Sequence, residues 1–290
     1  MLLENPSLRF SGKSETVITM PKSTSQRKTP WDRSSSVEKA CLVLRCFTPV
    51  KPSWRLSELA RQLKFPKSGV FRIVRTLDSQ GFLRHKDNSS EYELGFRIFE
   101  LTGMLFGETK WLSEKADPYL QQINERCGFL ASLSIMEHDE IVILARVEAT
   151  HPLKVVYPIG THLGCNNGAS GKLLLAYNYS KEDIRELLRA GKIKKFTEKT
   201  KMDFNILQAE FRKIQRAGYA ENDGESVPGT VGLAAPVYSA EGLVIAALAI
   251  TAPESLSSLK NLRAFIPILT STATKLSRDL GFRKTANLAG

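Results

Sequence analysis

FPKSGVFRIVRTLDSQG, residues 65–81, reads as one helix with two unlike faces. Val70, Ile73, Val74 and Leu77 recur at i, i+3, i+4 and i+7, which is the spacing of a single apolar stripe. Lys67, Ser68, Phe71, Arg72 and Arg75 project away from that stripe. Pro66 suits a first helical turn and Gly81 a left-handed stop. A helix that packs by one side and offers cations, a hydroxyl and an aromatic ring on the other is built to lie on an anionic surface. The candidate surface is a DNA major groove.

Working outward, Leu56, Leu59, Ala60 and Leu63 repeat the same spacing, and three residues, 64–66, separate the two patterns. Two short helices across a tight turn, the second one basic, are the layout of a helix-turn-helix. An earlier helix starts near Ser35, where Ser35 and Glu38 fit a capping box ahead of Val37, Ala40, Cys41, Leu44 and Phe47; Cys41 then belongs to a core. Beyond Gly81 the period falls to about two. Phe82 and Arg84 lead into a turn at 87–90, and Tyr92 and Leu94 lead out, which predicts a β-hairpin wing. Arg84, His85 and Lys86 would meet the DNA backbone or minor groove there. Residues 1–34, rich in Ser, Thr and Lys, read as a mobile basic tail whose Arg27, Lys28 and Arg33 could add phosphate contacts.

The distribution of charge agrees with this reading. The chain carries a net +11; residues 1–110 hold 19 Lys+Arg against 11 Asp+Glu, hence +8, and the remaining 22 against 19 give +3. Between Arg55 and Lys86 eight cations face two acids, Glu58 and Asp78, a bias that points to nucleic acid. Cys41, Cys46, Cys127 and Cys165 are too scattered for a zinc ribbon or redox pair, and the four histidines have no metal-site spacing, so neither metal nor cofactor is expected. No apolar run reaches a membrane span and no secretory pattern opens the chain, so a cytoplasmic location without membrane contact is expected.

Residues 95–112 return to helical spacing with Ile98, Leu101, Leu105 and Phe106 apolar. They read as a linker helix that buries its stripe against a second subunit; packing onto its own chain is the alternative. From residue 113 to 290 the pattern is mixed. Leu120, Ile123 and Cys127 suggest a helix; 131–136, 140–147, 153–158, 231–238 and 243–251 read as strands; 169–177, 181–190, 205–217 and 259–280 read as helices. Strands paired through short turns favour a mostly antiparallel sheet.

The run GASGK, Gly168 to Lys172, is not a phosphate-binding loop. Such a loop needs glycine five places before the Gly-Lys pair and Ser or Thr after the lysine, where this chain has Asn166 and Leu173. No glycine-flanked elbow marks Ser170 as a nucleophile. The run reads instead as a ligand wall: a helix start near Ala169 offers free backbone N–H groups and a positive dipole end, and small residues let a carboxylate approach. A polar loop at 222–229 is the candidate opposing wall. Ordinary turns at strand ends would look the same.

The whole arrangement from about Ser36 to Leu280 resembles the IclR family of bacterial transcriptional regulators. The likeness rests on SVEKACLVLRCF, LSELARQLKFPKSGVFRIVRTLDSQGFL, ASGKLLLA and GYAENDGESVPGTVGLAAPVYSAEGLVIAALAI, in that order. It implies an α+β chain: a winged helix-turn-helix at 35–94, a linker and dimerisation helix at 95–112, and an effector-binding domain at 113–290 related to the GAF fold. It further implies sequence-specific binding of a double-stranded DNA operator by a homodimer or dimer of dimers, with RNA polymerase as a candidate partner and a small carboxylic-acid or aromatic metabolite as the effector. An enzyme acting on a small acid, with an appended helix-turn-helix, is the alternative. Carried over by position, Ser57, Lys67, Ser68, Phe71, Arg72, Arg75, Arg84 and Lys86 would contact DNA. Met136, Asn167, Gly168, Ala169, Asn222, Asp223, Gly232, Ala249 and Thr251 would line the effector pocket. Gly232 and Ala249 are small, so the resemblance implies a larger cavity and a bulkier acid. Gly69 stands where the family usually has Thr or Ser.

Overall fold

The structure, a computed structural model, describes residues 35–48, 51–86 and 89–283, with backbone alone at 35 and 103–109. The basic tail, Pro49, the wing tip at Asp87 and Asn88, the Ser35 cap and the Leu105 and Phe106 side chains lie outside the described residues. The chain divides into two units that meet at Phe96 and Arg97.

In the first unit the buried faces of three helices converge. These are α1 (Ser35–Arg45), α2 (Leu56–Leu63) and α3 (Lys67–Ser79), and a core of Val43, Leu59, Val70, Val74, Leu77 and Leu83 joins them. On α1 that face is Ala40, Val43 and Leu44, continued by Phe47 just past its end, whereas Val37 and Cys41, expected in the stripe, are exposed. Lys64, in a left-handed conformation at φ 55°, ends α2 by donating its N–H to Arg61 O. Pro66 is the N-cap of α3, one place before the first turn predicted for it. Gly81, at φ 76°, lets Phe82 N–H reach back to Leu77 O at 2.8 Å. The wing has three strands where the sequence predicts two: β1 (Ser53–Arg55), β2 (Leu83–His85) and β3 (Glu91–Leu94), in the order β1-β3-β2. Trp54 in β1 pairs with Tyr92, and its indole N–H donates to Cys46 O at 2.9 Å, tying the added strand to the end of α1.

Helix α4 (Phe96–Cys127) is continuous where the sequence suggests two helices. Pro118 removes one backbone hydrogen bond, but Leu112, Ala116, Leu120, Ile123 and Cys127 bury one stripe straight across it. The rest of the second unit comprises β4 (Leu130–Glu137), β5 (Glu140–Val147), β6 (His162–Gly164), α5 (Gly168–Asn178), α6 (Lys181–Arg189), α7 (Phe204–Ala217), β7 (Ala220–Asp223), β8 (Thr230–Tyr238), β9 (Val244–Pro253), α8 (Leu259–Leu262), a 3-10 turn at Arg263–Phe265 and α9 (Ile266–Asp279). The six strands form one sheet, order β6-β5-β4-β9-β8-β7, with every neighbouring pair antiparallel.

Strand alternation divides the residues between two cores. Ala131, Leu133, Val231, Leu233, Leu248 and Ile250 face α4 and α9. Ile141, Ile143, Ala234, Ala247 and Ala249 face α5, α6 and α7. The strand predicted at 153–158 does not form; β6 takes the sheet edge instead, and 153–158 belongs to the long connection between β5 and β6. The polar loop predicted at 222–229 is shorter, because Asn222 and Asp223 already pair with Gly232 and Val231.

Candidate functional sites

On α3 the packing leaves one face outside. Val70 and Val74 are fully buried, while Lys67, Ser68, Phe71, Arg72 and Arg75 are exposed, Phe71 by 44%. An aromatic ring left that far in water is a contact surface or a cost. The Arg75 guanidinium sits 5.7 Å from the Phe71 ring centroid. Ser57, on α2, is exposed as well.

The eight cations of this region separate into two groups. Arg55 lies 3.7 Å from Glu91 and Arg84 2.5 Å from Glu93, so two of them are paired with glutamates of the wing. Arg84 also lies 5.0 Å from the Phe96 ring. Arg61, Lys64, Lys67, Arg72, Arg75 and Lys86 have no carboxylate partner among the described residues. Unpaired positive charge is therefore concentrated on α3 and its approaches, with Lys86 following β2. That distribution suits phosphate, and the ring and hydroxyl suit base edges.

In the second unit, cross-strand register builds a cavity. Ser132 pairs with Ala249, Thr251 with Gly232, and Gly232 with Asn222, so β4, β9, β8 and β7 set these residues in two adjacent rows on one face of the sheet. The N-terminus of α5 covers the rows with Asn167, Gly168, Ala169 and Ser170. Ser226 closes one side and Ile141, Ile143, Tyr157 and Leu163 the other. The space is about 40 Å³, room for a few water molecules, and is only partly closed off from solvent. Gly232 and Ala249 do not make this space large; Ile141, Ile143, Tyr157 and Leu163 line it with them.

The lining mixes the polar groups of Ser132, Asn167, Ser170, Asn222, Ser226 and Thr251 with apolar Ile141, Ile143 and Leu163, and carries no charged side chain. Asn167 caps α5 without a side-chain hydrogen bond, and the first backbone N–H in use there is that of Gly171, which donates to Asn167 O at 3.1 Å. The N–H groups of Gly168, Ala169 and Ser170 thus point at the cavity end of the helix without a backbone partner among the described residues. Ser132, 4% exposed, has no hydrogen-bond partner for its hydroxyl among them either. Asn222 is already engaged: its Nδ2 donates to Thr230 O at 3.3 Å and its Oδ1 accepts from Glu225 N at 3.1 Å. A site with spare donors and a helix N-terminus, but no lysine or arginine, matches a small anion whose charge is met by dipoles.

Seven of the nine residues expected at the pocket meet there. Met136 and Asp223 do not. Met136 lies on β4 four residues beyond Ser132, opposite Ile141, and packs into the apolar core. Asp223 alternates outward from Asn222 and lies 3.7 Å from Lys199. Ser132, Ile141, Ile143, Tyr157 and Leu163 escaped the sequence reading. The serines of LASLSIM, alternating with apolar residues in a buried strand, were the available signal.

Nothing nearby resembles a nucleophile with its base. The Cys165 thiol is pushed up to about 11, chiefly by burial, and is unreactive at neutral pH. Lys172 of the GASGK run is 3% exposed and lies 2.7 Å from Glu225 and 3.2 Å from Glu210. No cluster of three His, Cys, Asp or Glu among the described residues is arranged to hold a metal ion.

A winged helix-turn-helix with an exposed basic helix, joined in one chain to a sheet domain with a small uncharged cavity, defines a ligand-responsive DNA-binding regulator. The comparisons with known proteins agree. Residues 109–278 match the family model of the bacterial transcriptional regulator IclR C-terminal domain, and residues 36–87 match the IclR helix-turn-helix domain. The chain belongs to the IclR family of transcriptional regulators. It is 28% identical over 231 residues to the HTH-type transcriptional regulator BhcR of Paracoccus denitrificans, covering 80% of this chain and 82% of that one. With the HTH-type transcriptional regulator KdgR of Escherichia coli it shares 26% over 227 residues, 78% of this chain and 86% of that one. Among solved structures, an IclR homologue from Microbacterium hydrocarbonoxydans complexed with 4-hydroxybenzoate superposes with a TM-score of 0.72 at 26% identity, over 85% of this chain and 99% of that one. No helix among the described residues is long and apolar enough to cross a membrane.

Proposed function

We propose that copies of this chain assemble on a double-stranded DNA operator, read it through the Lys67, Ser68, Phe71, Arg72 and Arg75 face of α3, and are switched by a small carboxylic acid held at the N-terminus of α5. Ser57, Arg84 and Lys86 supply flanking contacts, with Arg84 weakened by its bond to Glu93. The observation that carries the effector half is the cavity lining: unpartnered donors at the start of α5 face a small space whose lining holds neither a charged side chain nor a nucleophile with its base. The same lining argues for binding without turnover. The solved relative that holds 4-hydroxybenzoate supports an acid as the ligand class. At about 40 Å³ the cavity is the better match in size for a two- or three-carbon acid, and an aromatic acid requires it to widen.

Assembly is supported by α4, where Phe96, Phe99, Leu101 and Trp111 are exposed by 71, 77, 47 and 48%. That much apolar surface on one helix calls for a partner, and a second copy supplies the second recognition helix that a two-fold operator needs. The protein acts in the cytoplasm, and a regulator seated at a promoter meets RNA polymerase there.

A thermal-shift panel of pyruvate, glyoxylate and 4-hydroxybenzoate on the full chain tests the effector reading. A ligand at a hundred times its Kd stabilises by about 2.7 kcal/mol, a rise of several degrees. Stabilisation that disappears on replacing Ser132 by Val is the expected result. Chemical conversion of a stabilising acid would favour an enzyme, and no stabilisation by any acid would overturn the assignment of the cavity.

A further inference from the structure

The hairpin loop at 224–229, between β7 and β8, forms the wall between the cavity and solvent. Ser226, 7% exposed, faces inward above Gly168, where a Cβ would come within 3.5 Å of the serine oxygen. On the other side Val227 is 40% exposed, and Pro228 and Gly229 also face water. The loop is therefore one residue thick over the site.

Its attachment is unusual for a hairpin loop. Gly224 and Gly229 bound it at φ 70° and 73°, both in the left-handed region that glycine adopts without strain. Backbone bonds anchor both ends, Gly224 N–H to Thr230 O at 2.9 Å and Glu254 N–H to Gly229 O at 2.7 Å, and between them most of the bonds to the loop come from side chains. Thr197 Oγ1 donates to Gly224 O at 2.8 Å and Thr200 Oγ1 to Glu225 O at 2.6 Å. The Glu225 carboxylate lies 2.7 Å from Lys172 Nζ, on α5, and 3.5 Å from Lys201 Nζ. Both lysines also bridge to Glu210 of α7, at 3.2 and 2.9 Å. Two lysines and two carboxylates thus join the loop to the helix whose N-terminus forms the opposite wall of the cavity.

Lys172, Glu210 and Glu225 are largely buried and Lys201 is partly exposed; burying charge is a poor way to gain stability, because apolar side chains of the same volume hold a fold as well or better. Ion pairs have a different property. When the loop swings outward their charges rehydrate, so the contact can open without exposing apolar surface to water. The 40 Å³ cavity gives such opening a purpose, since that space is smaller than an aromatic acid.

We propose that residues 224–229 are a hinged lid over the effector cavity, pivoting at Gly224 and Gly229, and that the Lys172–Glu225 ion pair is its latch. The proposal rests on reading the cavity as the effector site. Glu225 is a positioning residue: it touches no ligand and acts by holding Ser226 in the wall.

Amide hydrogen exchange on the full-length chain, with no ligand added, tests the lid independently of the acid panel described above. In the wild-type chain the closed loop protects Gly224 N–H, bonded to Thr230 O at 2.9 Å, and Glu225 N–H, bonded to Asn222 Oδ1 at 3.1 Å. Glu225→Gln keeps the shape of the latch and removes its charge; exchange across 223–230 should rise tenfold or more while α5 and α7 keep their wild-type rates. Gly229→Ala should give the same local pattern from the hinge side, because its methyl meets nothing within 4 Å and strains only the backbone. Unchanged exchange at 223–230 in both variants would overturn the lid. So would exchange that rises equally across α5 and α7, since that would mark the charge network as a structural element of the whole layer. An acid panel that fails while exchange changes locally would remove the effector reading and leave the lid standing.

Discussion

Two glycines inside helices carry opposite predictions. Gly69, in α3, would gain a methyl that meets nothing within 4 Å, so Gly69→Ala removes only the entropic cost of glycine in a helix. It should raise stability by about 0.5–1 kcal/mol, measured by urea denaturation of the full chain. Gly171, in α5, would place a Cβ 2.5 Å from Cys165 O and 2.9 Å from Asn166 C, both backbone atoms that cannot rotate aside. Gly171→Ala should cost roughly 1–3 kcal/mol by the same measurement, as overpacking does. In the sequence the two residues look alike, each a glycine in a periodic helix, because periodicity carries no information about which backbone lies opposite. For the same reason Ser132 was missed and Met136 taken for a pocket residue. They share a face of β4, and only the register with β9 and β5 shows which of them lies under α5.

Among the elements, those with a full period of apolar residues were legible. The stripe Val70, Ile73, Val74 and Leu77 predicts α3 to within two residues at either end, and β5, β8 and β9 fall close to their predicted spans. The three-residue β1 and the four-residue β7 are too short to show a period. The stretch 153–158 alternates without finding a strand to pair with, so local pattern suggested a strand that tertiary pairing did not supply. Two predictions belong at this scale. Arg72→Ala with Arg75→Ala changes only exposed residues without a carboxylate partner, so thermal stability should hold while the log–log salt slope of DNA binding falls by about 0.9 for each phosphate contact removed; titrations at several salt concentrations check it. At the sheet edge, Arg263 donates two hydrogen bonds to the Glu221 carboxylate, at 2.7 and 2.8 Å, and these bonds hold its pKa below the usual carboxylate range. A depressed folded pKa gives stability that is present above the unfolded value of about 4.3 and lost as pH falls through the folded one. Melting temperature should therefore drop more steeply below pH about 4 in the wild type than in Arg263→Gln, and parallel acid profiles would contradict the pairing.

At the scale of the molecule, each unit contains one half of a switch, and the charge balance separates them: the excess of cations lies with the helix-turn-helix, whereas the sheet domain presents an uncharged cavity of donors. Composition and spacing made the DNA-binding half legible because unpaired cations on a helix face are visible in the sequence. The cavity was legible only in outline, since its walls come from four strands, a helix start and two connections far apart in the chain. Regulation requires that the acid bind two arrangements of the assembled protein with different affinity, and the coupling is then reciprocal. The most direct measurement is fluorescence anisotropy of the assembled full-length protein on DNA from upstream of its own gene, over a series of salt concentrations, with and without an acid that stabilises it thermally. The account predicts a steep loss of affinity with salt and at least a fivefold change in DNA affinity when the acid is added. A salt slope near zero, or an acid that binds tightly and leaves DNA affinity unchanged, would contradict it.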